Sequence, residues 1–275
     1  MNWEEAVVWL RSQPEQHQLV LDCYYDDPPE DAVRRFSESE EWADTLDALG
    51  PVRGLRVLDL GAGRGIASYA FAAAGAVVTS LEPDPSPLVG TGCIRTWSQR
   101  LNVNVRIVEK WGESLPFSTS EFDLVYARAV LHHARDLRQL CIEIRRVLSP
   151  DGRLFACREH VLTNQGQLQQ FLAAHPLHRL YGGENAYTLL GYLGALARAE
   201  LIPKKIWGPA GAAFNYAPVR REAHQSQLDS MLRRRLPLSD GLIPRRLLRP
   251  LVETWLAMRD QTPGRHFAFL CQPLA

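Results

Sequence analysis

The residues that point most directly to chemistry are a glycine-rich turn and a carboxylate further along the chain. The turn is Val57-Leu58-Asp59-Leu60-Gly61-Ala62-Gly63-Arg64-Gly65, where a short apolar run gives way to an alanine-rich stretch. Glycines at such a junction let the backbone bend sharply and approach a ligand without side-chain clash. Glu82 follows 21 residues after Gly61, at the end of a second apolar run. A carboxylate there accepts hydrogen bonds from both ribose hydroxyls of a nucleoside. Two cofactor classes use this arrangement. A dinucleotide fingerprint is GxGxxG, with the helix start holding a pyrophosphate. Here the third glycine comes one place early and Ile66 stands where that fingerprint wants glycine. Asp59, two residues before the first glycine, suits a cofactor carrying positive charge rather than one rich in phosphates. S-adenosylmethionine, with a sulfonium, an ammonium and no phosphate, meets that condition. A nicotinamide-dependent oxidoreductase is the rival reading, and a turn that merely closes a strand–helix junction is the plain one.

These residues need a scaffold, and the hydropathy pattern supplies one. Leu55–Leu60, Ala76–Leu81, Val103–Val108, Phe122–Ala127 and Arg153–Cys157 read as strands. Helical stretches at Ile66–Ala74, Leu88–Leu101 and Leu137–Leu148 lie between them, the last stopped by Ser149-Pro150-Asp151-Gly152. Alternation of strand and helix argues a parallel α/β sheet. Further on, Gln165–Ala174 and Ala186–Ala199 look helical, and Leu201–Trp207 and His266–Leu270 look like strands. Before the sheet, Trp3–Leu10 is amphipathic, Pro28 and Pro29 break the chain, and Ala32–Leu49 shows mostly helical spacing.

The sequence resembles the class I S-adenosylmethionine-dependent methyltransferases. The matching pieces are VLDLGAGRG (57–65), SLEPD (80–84), ESLPF (113–117), FDLVYARAVLHH (122–133) and RRVLSPDGRL (145–154), and they cover about residues 53–160. The resemblance implies a Rossmann-like, seven-stranded, mostly parallel sheet with helices on both faces and an antiparallel last strand. It implies cofactor contacts from Gly61, Ala62, Gly63 and Glu82, with Asp59 near the methionine amino group. Members often carry an aspartate, two residues before the glutamate of the ESLPF-like piece, that bonds the adenine amino group. Trp111 occupies that position here. An indole stacks on adenine but accepts no hydrogen bond from it, so Gly112 and Glu113 are the candidates to replace that contact. Ordinary core packing is the plain reading of Trp111.

Ligands of open α/β sheets bind outside the carboxyl ends of the strands. That places Arg128, His132, His133, Glu159 and His160 near the transferable methyl. If the acceptor is a hydroxyl, a base must remove its proton, and histidine titrates in the right range. His133 and His160 are the candidate bases. Arg128 is a candidate to grip an anionic group of the acceptor or to pair with Glu159. The polar segment His175–Tyr187 follows, and His178, Tyr181, Glu184 and Asn185 join Glu159 as candidate acceptor-binding residues. Glu184 and Asn185 also suit a helix cap. The HxxH of His175 and His178, with Glu184 beyond, permits a metal site, but it lacks a third ligand at a diagnostic spacing, so no metal is expected.

The chain has 275 residues, 46% hydrophobic and 23% charged, which is enough for an ordinary core without disulfide or metal staples. No apolar run is long enough for a spanning helix. The first residues lack the basic start of a secretory signal. Five scattered cysteines without a CxxC suggest thiols in a reducing cytoplasm. The net charge of zero hides an asymmetry. Residues 1–50 hold 13 acids and 3 bases, whereas residues 219–260 hold 9 arginines and 5 acids. Arg233–Arg235, Arg245, Arg246 and Arg249 flank leucines, a pattern that can contact an anionic membrane or phosphates. With zero net charge, a lid pairing with the acidic start is the preferred reading, and no nucleic acid partner is expected.

The resulting expectation is a helical N-terminal cap over 1–50 and a methyltransferase domain over 51–275, with an arginine-rich helical insertion at about 209–262. The expected activity is transfer of a methyl group from S-adenosyl-L-methionine to a small-molecule hydroxyl, with a histidine base. A non-catalytic protein that only binds this cofactor is the other alternative. The acceptor and the oligomeric state are not legible.

Overall fold

A computed structural model describes residues 1–235 and 245–274 of the chain, with side chains throughout except at 232–235 and 245–249. The strands are β1 (Arg56–Leu60), β2 (Val77–Leu81), β3 (Arg106–Val108), β4 (Phe122–Arg128), β5 (Leu148–Leu162), β6 (Tyr187–Thr188), β7 (Leu201–Trp207) and β8 (Arg265–Pro273). They form one sheet in the order β3-β2-β1-β4-β5-β8-β7, with β6 pairing the end of β5. Every pairing is parallel except those of β8, which runs antiparallel to β5 and β7. The order reverses between β1 and β4, and the crevice at that point opens toward the carboxyl ends of the strands.

Strand residues alternate between two apolar cores, as the two-residue repeat of a strand requires. Leu58, Val125, Leu154 and Ala156 pack against the helices Leu137–Val147 and Leu189–Arg198. Val57, Leu124, Tyr126 and Phe155 pack on the other side with Phe71 and Trp97. The acidic N-terminal segment shares this second core through Tyr24, Val33, Phe36, Trp42 and Leu49. Its helical stretch is two helices, Pro29–Ser37 and Glu40–Leu49. The break falls at Ser39, whose side chain accepts from the Trp42 amide and so starts a new helix.

Three helices, Ala213–Tyr216, Arg221–Arg235 and Arg245–Arg259, lie between β7 and β8 in the chain. Arg221 pairs with Asp44 at 2.6 Å, and its amide donates to Glu40, so the start of this segment does meet the acidic N-terminal helices. The arginine run itself, Arg233–Arg235 with Arg245, Arg246 and Arg249, lies outside the described side chains. Among the described residues no helix is long and apolar enough to cross a membrane. All five cysteines are free thiols.

Candidate functional site

The crevice is a cavity of about 1200 Å³ lined by the ends of β1, β2 and β4, by β5 and by the N-terminal segment. Its floor is the glycine turn. Gly61 and Gly65 both have left-handed backbones, φ +64° and +75°. A Cβ on Gly61 would stand 2.8 Å from Val130 Cγ2, and one on Gly65 would stand 2.8 Å from Trp97. These contacts explain the early third glycine: Gly65 packs under Trp97 of the helix Thr91–Arg100, which follows β2, rather than meeting a phosphate. The Ala62 amide donates to the Leu81 carbonyl, which fixes β1 beside β2, and the Gly63 amide donates to Glu82 Oε2 at 2.8 Å.

Two buried carboxylates face this turn. Glu82 is 5% exposed and accepts from the Gly63 and Asp84 amides. Asp59 is 2% exposed and accepts from Ser68 Oγ at 2.5 Å. Burial pushes both up to about 7, against the hydrogen bonds that favour their ionised forms. Among the described residues neither forms an ion pair. Two buried acids on one cavity wall, with no ion pair to either among the described residues and Arg128 engaged by Glu41, fit a ligand that brings positive charge. No phosphate cradle is needed. The residues therefore suit S-adenosylmethionine.

Trp111 is 61% exposed and lines the cavity, so core packing is not its role. Arg135 lies over its ring at 5.1 Å from the centroid. Glu113 accepts from the Arg135 amide at 3.0 Å, and Gly112 sits against Leu140 and Leu60, where a Cβ would clash. This wall offers an indole plane and a carboxylate to a flat base. The opposite wall is closed by the N-terminal segment. The buried Arg64 of the glycine turn donates to the Tyr24 and Asp26 carbonyls and pairs with Asp27 at 3.0 Å. Trp3 Nε1 donates to Tyr25 Oη, and its ring lies 6.4 Å from that of Tyr181. Sequence reasoning missed this wall because its contacts are set by chain reversal, not by any motif.

At the end of the cavity where the acceptor is expected, the structure redistributes the expected roles. Arg128 does line the cavity, but it pairs with Glu41 rather than with Glu159, through bonds of 2.6 and 3.1 Å. It also lies over the Tyr24 and Phe36 rings. Glu41 is 2% exposed, and the attraction holds the guanidinium fully charged against its own burial. Arg128 thus ties the N-terminal helices to β4. Glu159 is wholly buried and does not line the cavity. Its Oε1 accepts from the Val130 and Leu131 amides, and its Oε2 accepts from the His132 amide and ring Nδ1 at 2.7 Å. Burial raises Glu159 to about 7, yet four donors around two oxygens match an ionised carboxylate. His132 then carries its proton on Nδ1.

A bulge makes this possible. The strand expected at Arg153–Cys157 continues to Leu162, and its register against β8 shifts between Ala156 and Glu159. Arg158 takes φ +58° there. The shift turns Glu159 under the 130–132 turn and His160 into the cavity. His160 Nδ1 donates to the Gly264 carbonyl at 2.8 Å, and burial lowers its pKa to about 2. His133 is half-exposed and its Nδ1 donates to the Gly183 carbonyl at 3.1 Å. Burial holds His132 neutral as well.

Of the later segment, Tyr181 and Glu184 line the cavity. Tyr181 Oη donates to Glu184 Oε1 at 3.0 Å. His178 and Asn185 do not line it. The His178 amide donates to His175 Nδ1 in the cap of helix Pro176–Tyr181, and its own Nδ1 is buried elsewhere. Asn185 lies beside Tyr187 instead, whose hydroxyl donates to the Ala134 carbonyl at 2.8 Å. The helical cap places His175, not His178, against the cavity. His132, His133 and His160, all expected near the methyl, line the cavity, whereas His175 and His266 are cavity residues that the candidate set lacked.

Residues 58–156 match the family described as "Methyltransferase domain". The demethylmenaquinone methyltransferase of Clavibacter sepedonicus is 35% identical over 115 residues, 41% of this chain and 44% of that protein. The ubiquinone biosynthesis O-methyltransferase of Rhizobium leguminosarum bv. trifolii (strain WSM2304) is 29% identical over 140 residues, 51% of this chain and 54% of that protein. The chain thus spans about half the length of these curated relatives. Among solved structures, the geranyl diphosphate C-methyltransferase of Streptomyces coelicolor A3(2), in complex with Mg2+, geranyl diphosphate and S-adenosyl-L-homocysteine, superposes with a TM-score of 0.60. That match covers 92% of this chain and 87% of the other at 17% identity, a likeness of fold.

Proposed function

We propose that this chain, which belongs to the class I S-adenosylmethionine-dependent methyltransferases, transfers the methyl group to a hydroxyl of a small molecule bound in the same cavity. The observation that carries the reading is the pair of buried carboxylates, Asp59 and Glu82, which lie beside the glycine turn and form no ion pair among the described residues. S-adenosylmethionine supplies a methyl group already activated on a sulfonium. Glu82 is placed to receive the ribose hydroxyls, Asp59 to face the amino group, and Trp111 with Glu113 to flank the base. The protein's remaining task is to align the acceptor and to exclude water. Trp3, Tyr25 and Tyr181 close the cavity for that purpose.

His133 is the favoured base. Its Nδ1–H is anchored on Gly183, which leaves Nε2 to receive the hydroxyl proton, and Glu184 Oε2 stands 3.8 Å away to stabilise the resulting imidazolium. His160 is a poor base, because burial disfavours its charged form. Oxygen as the acceptor atom is supported by the relative named an O-methyltransferase; the relative acting on demethylmenaquinone widens the test set to quinol-like molecules. The test is transfer of labelled methyl to a panel of phenols, quinols and alcohols, with calorimetric binding of S-adenosylhomocysteine. Failure of the folded protein to bind that nucleoside overturns the reading. Methylation of carbon rather than oxygen, unaffected by loss of His133, overturns the acceptor assignment alone.

A further inference from the structure

The acceptor end of the cavity carries more unprotonated acceptors than proton transfer needs. Three imidazoles donate Nδ1–H to fixed oxygens: His132 to Glu159, His160 to the Gly264 carbonyl and His133 to the Gly183 carbonyl. Their Nε2 atoms are thereby left as lone pairs. Glu184 joins them, 8% exposed, with Oε1 receiving the Tyr181 hydroxyl. Its Oε2 lies 3.8 Å from Nε2 of both His132 and His133, too far for a hydrogen bond. Lone pairs and a carboxylate facing one another in a buried space repel unless positive charge stands among them.

We propose that His132, His160 and Glu184 form a binding site for one divalent transition-metal ion, zinc in the first place. One ligand atom from each of the three lies within 4.8 Å of the other two. Tetrahedral ligands around zinc stand about 3.4 Å apart, so the 3.8 Å between His132 and Glu184 closes with small rotations. Two imidazoles and one carboxylate, with the remaining positions open, is a known catalytic zinc set. The outer partners also match such a site. A carboxylate or carbonyl on the far nitrogen of each histidine fixes its tautomer, as metal-bound imidazoles require. The set is invisible to spacing rules, since its members come from the turn after β4, the bulged end of β5 and the segment before β6. It is also not the HxxH pair of His175 and His178.

A metal here would lie among the residues to which the proposed function assigns the acceptor. Resting on that reading, it would take the acceptor hydroxyl as a further ligand and lower its pKa. The O–H proton would pass to His133 and the oxygen would stay on the metal. Binding of the metal itself does not depend on that reading.

The experiment uses the full chain after chelator treatment. Zn2+ is titrated by calorimetry and Co2+ by its visible absorption, and S-adenosylhomocysteine binding is measured on the same samples. We expect one ion per chain, with both E184Q and H160Q weakening it by about tenfold or more while nucleoside binding and thermal melting are kept. A wild-type protein that binds the nucleoside but takes up no stoichiometric ion overturns the proposal. So does binding left intact by both substitutions, or by E184Q alone if H160Q fails to fold. Metal bound without nucleoside binding supports the site and overturns the methyl-transfer reading instead.

Discussion

The raised carboxyls of Asp59 and Glu82 make cofactor affinity depend on pH near neutrality. Burial pushes both up to about 7 by disfavouring their charge. A cationic nucleoside binds their ionised forms better and so lowers both pKa values when bound. For one group at 7, the ionised fraction falls about tenfold from pH 8 to pH 6, which costs about 1.4 kcal/mol of binding per unit once the group is mostly protonated. Two groups give at most about a hundredfold. The free fold behaves in the opposite sense. An acid whose folded pKa is raised stabilises the fold at low pH, and that contribution is lost as pH rises through 7. The cofactor should therefore raise the melting temperature more at pH 8 than at pH 6. Calorimetry with S-adenosylhomocysteine at pH 6, 7 and 8, in buffers of different ionisation heat, reads both the affinity and the protons released. E82Q should remove part of the slope. A Kd constant from pH 6 to 8 with no proton release would refute the reasoning.

Four further outcomes follow from particular contacts. E41A leaves Arg128 buried without its partner and should cost about 3–5 kcal/mol of stability in chemical denaturation, while the E41A/R128A double variant costs less than the sum of the singles. If R128A instead leaves stability intact and raises only the acceptor KM, Arg128 grips the acceptor. W111A should weaken nucleoside binding by about 1–3 kcal/mol without lowering the melting temperature, since the indole is solvent-facing and its gain comes from stacking. H133Q should lower kcat by about 10²-fold or more with little change in nucleoside Kd, and an unchanged kcat would remove His133 as base. G65A forces a left-handed alanine against Trp97 and Ile94, and should lower the melting temperature and nucleoside affinity together.

The cofactor half of the site was legible in the linear sequence because its parts are local. A glycine turn between a strand and a helix, and an acid at the end of the next strand, are fixed by chain order once the sheet is parallel, so Asp59, Gly61, Gly63 and Glu82 all reach one cavity wall.

The acceptor half depended on events that leave no local trace. Arg128 found Glu41, 87 residues earlier, because the N-terminal helices fold back over β4. The β5 strand outran its apolar pattern and bulged at Arg158, which sent Glu159 beneath a turn and His160 into the cavity. His266 arrived opposite His160 only because the last strand inserts antiparallel beside β5. Periodicity reports which side of an element is apolar; it carries no information on which distant polar groups will face each other. The sequence by itself therefore determined the sheet and the floor proposed to hold the nucleoside, whose residues are neighbours along the chain or at strand ends. Tertiary packing alone decided the histidine–carboxylate end, because burial and long-range hydrogen bonds, not residue type, set which nitrogen of each ring is left to bind.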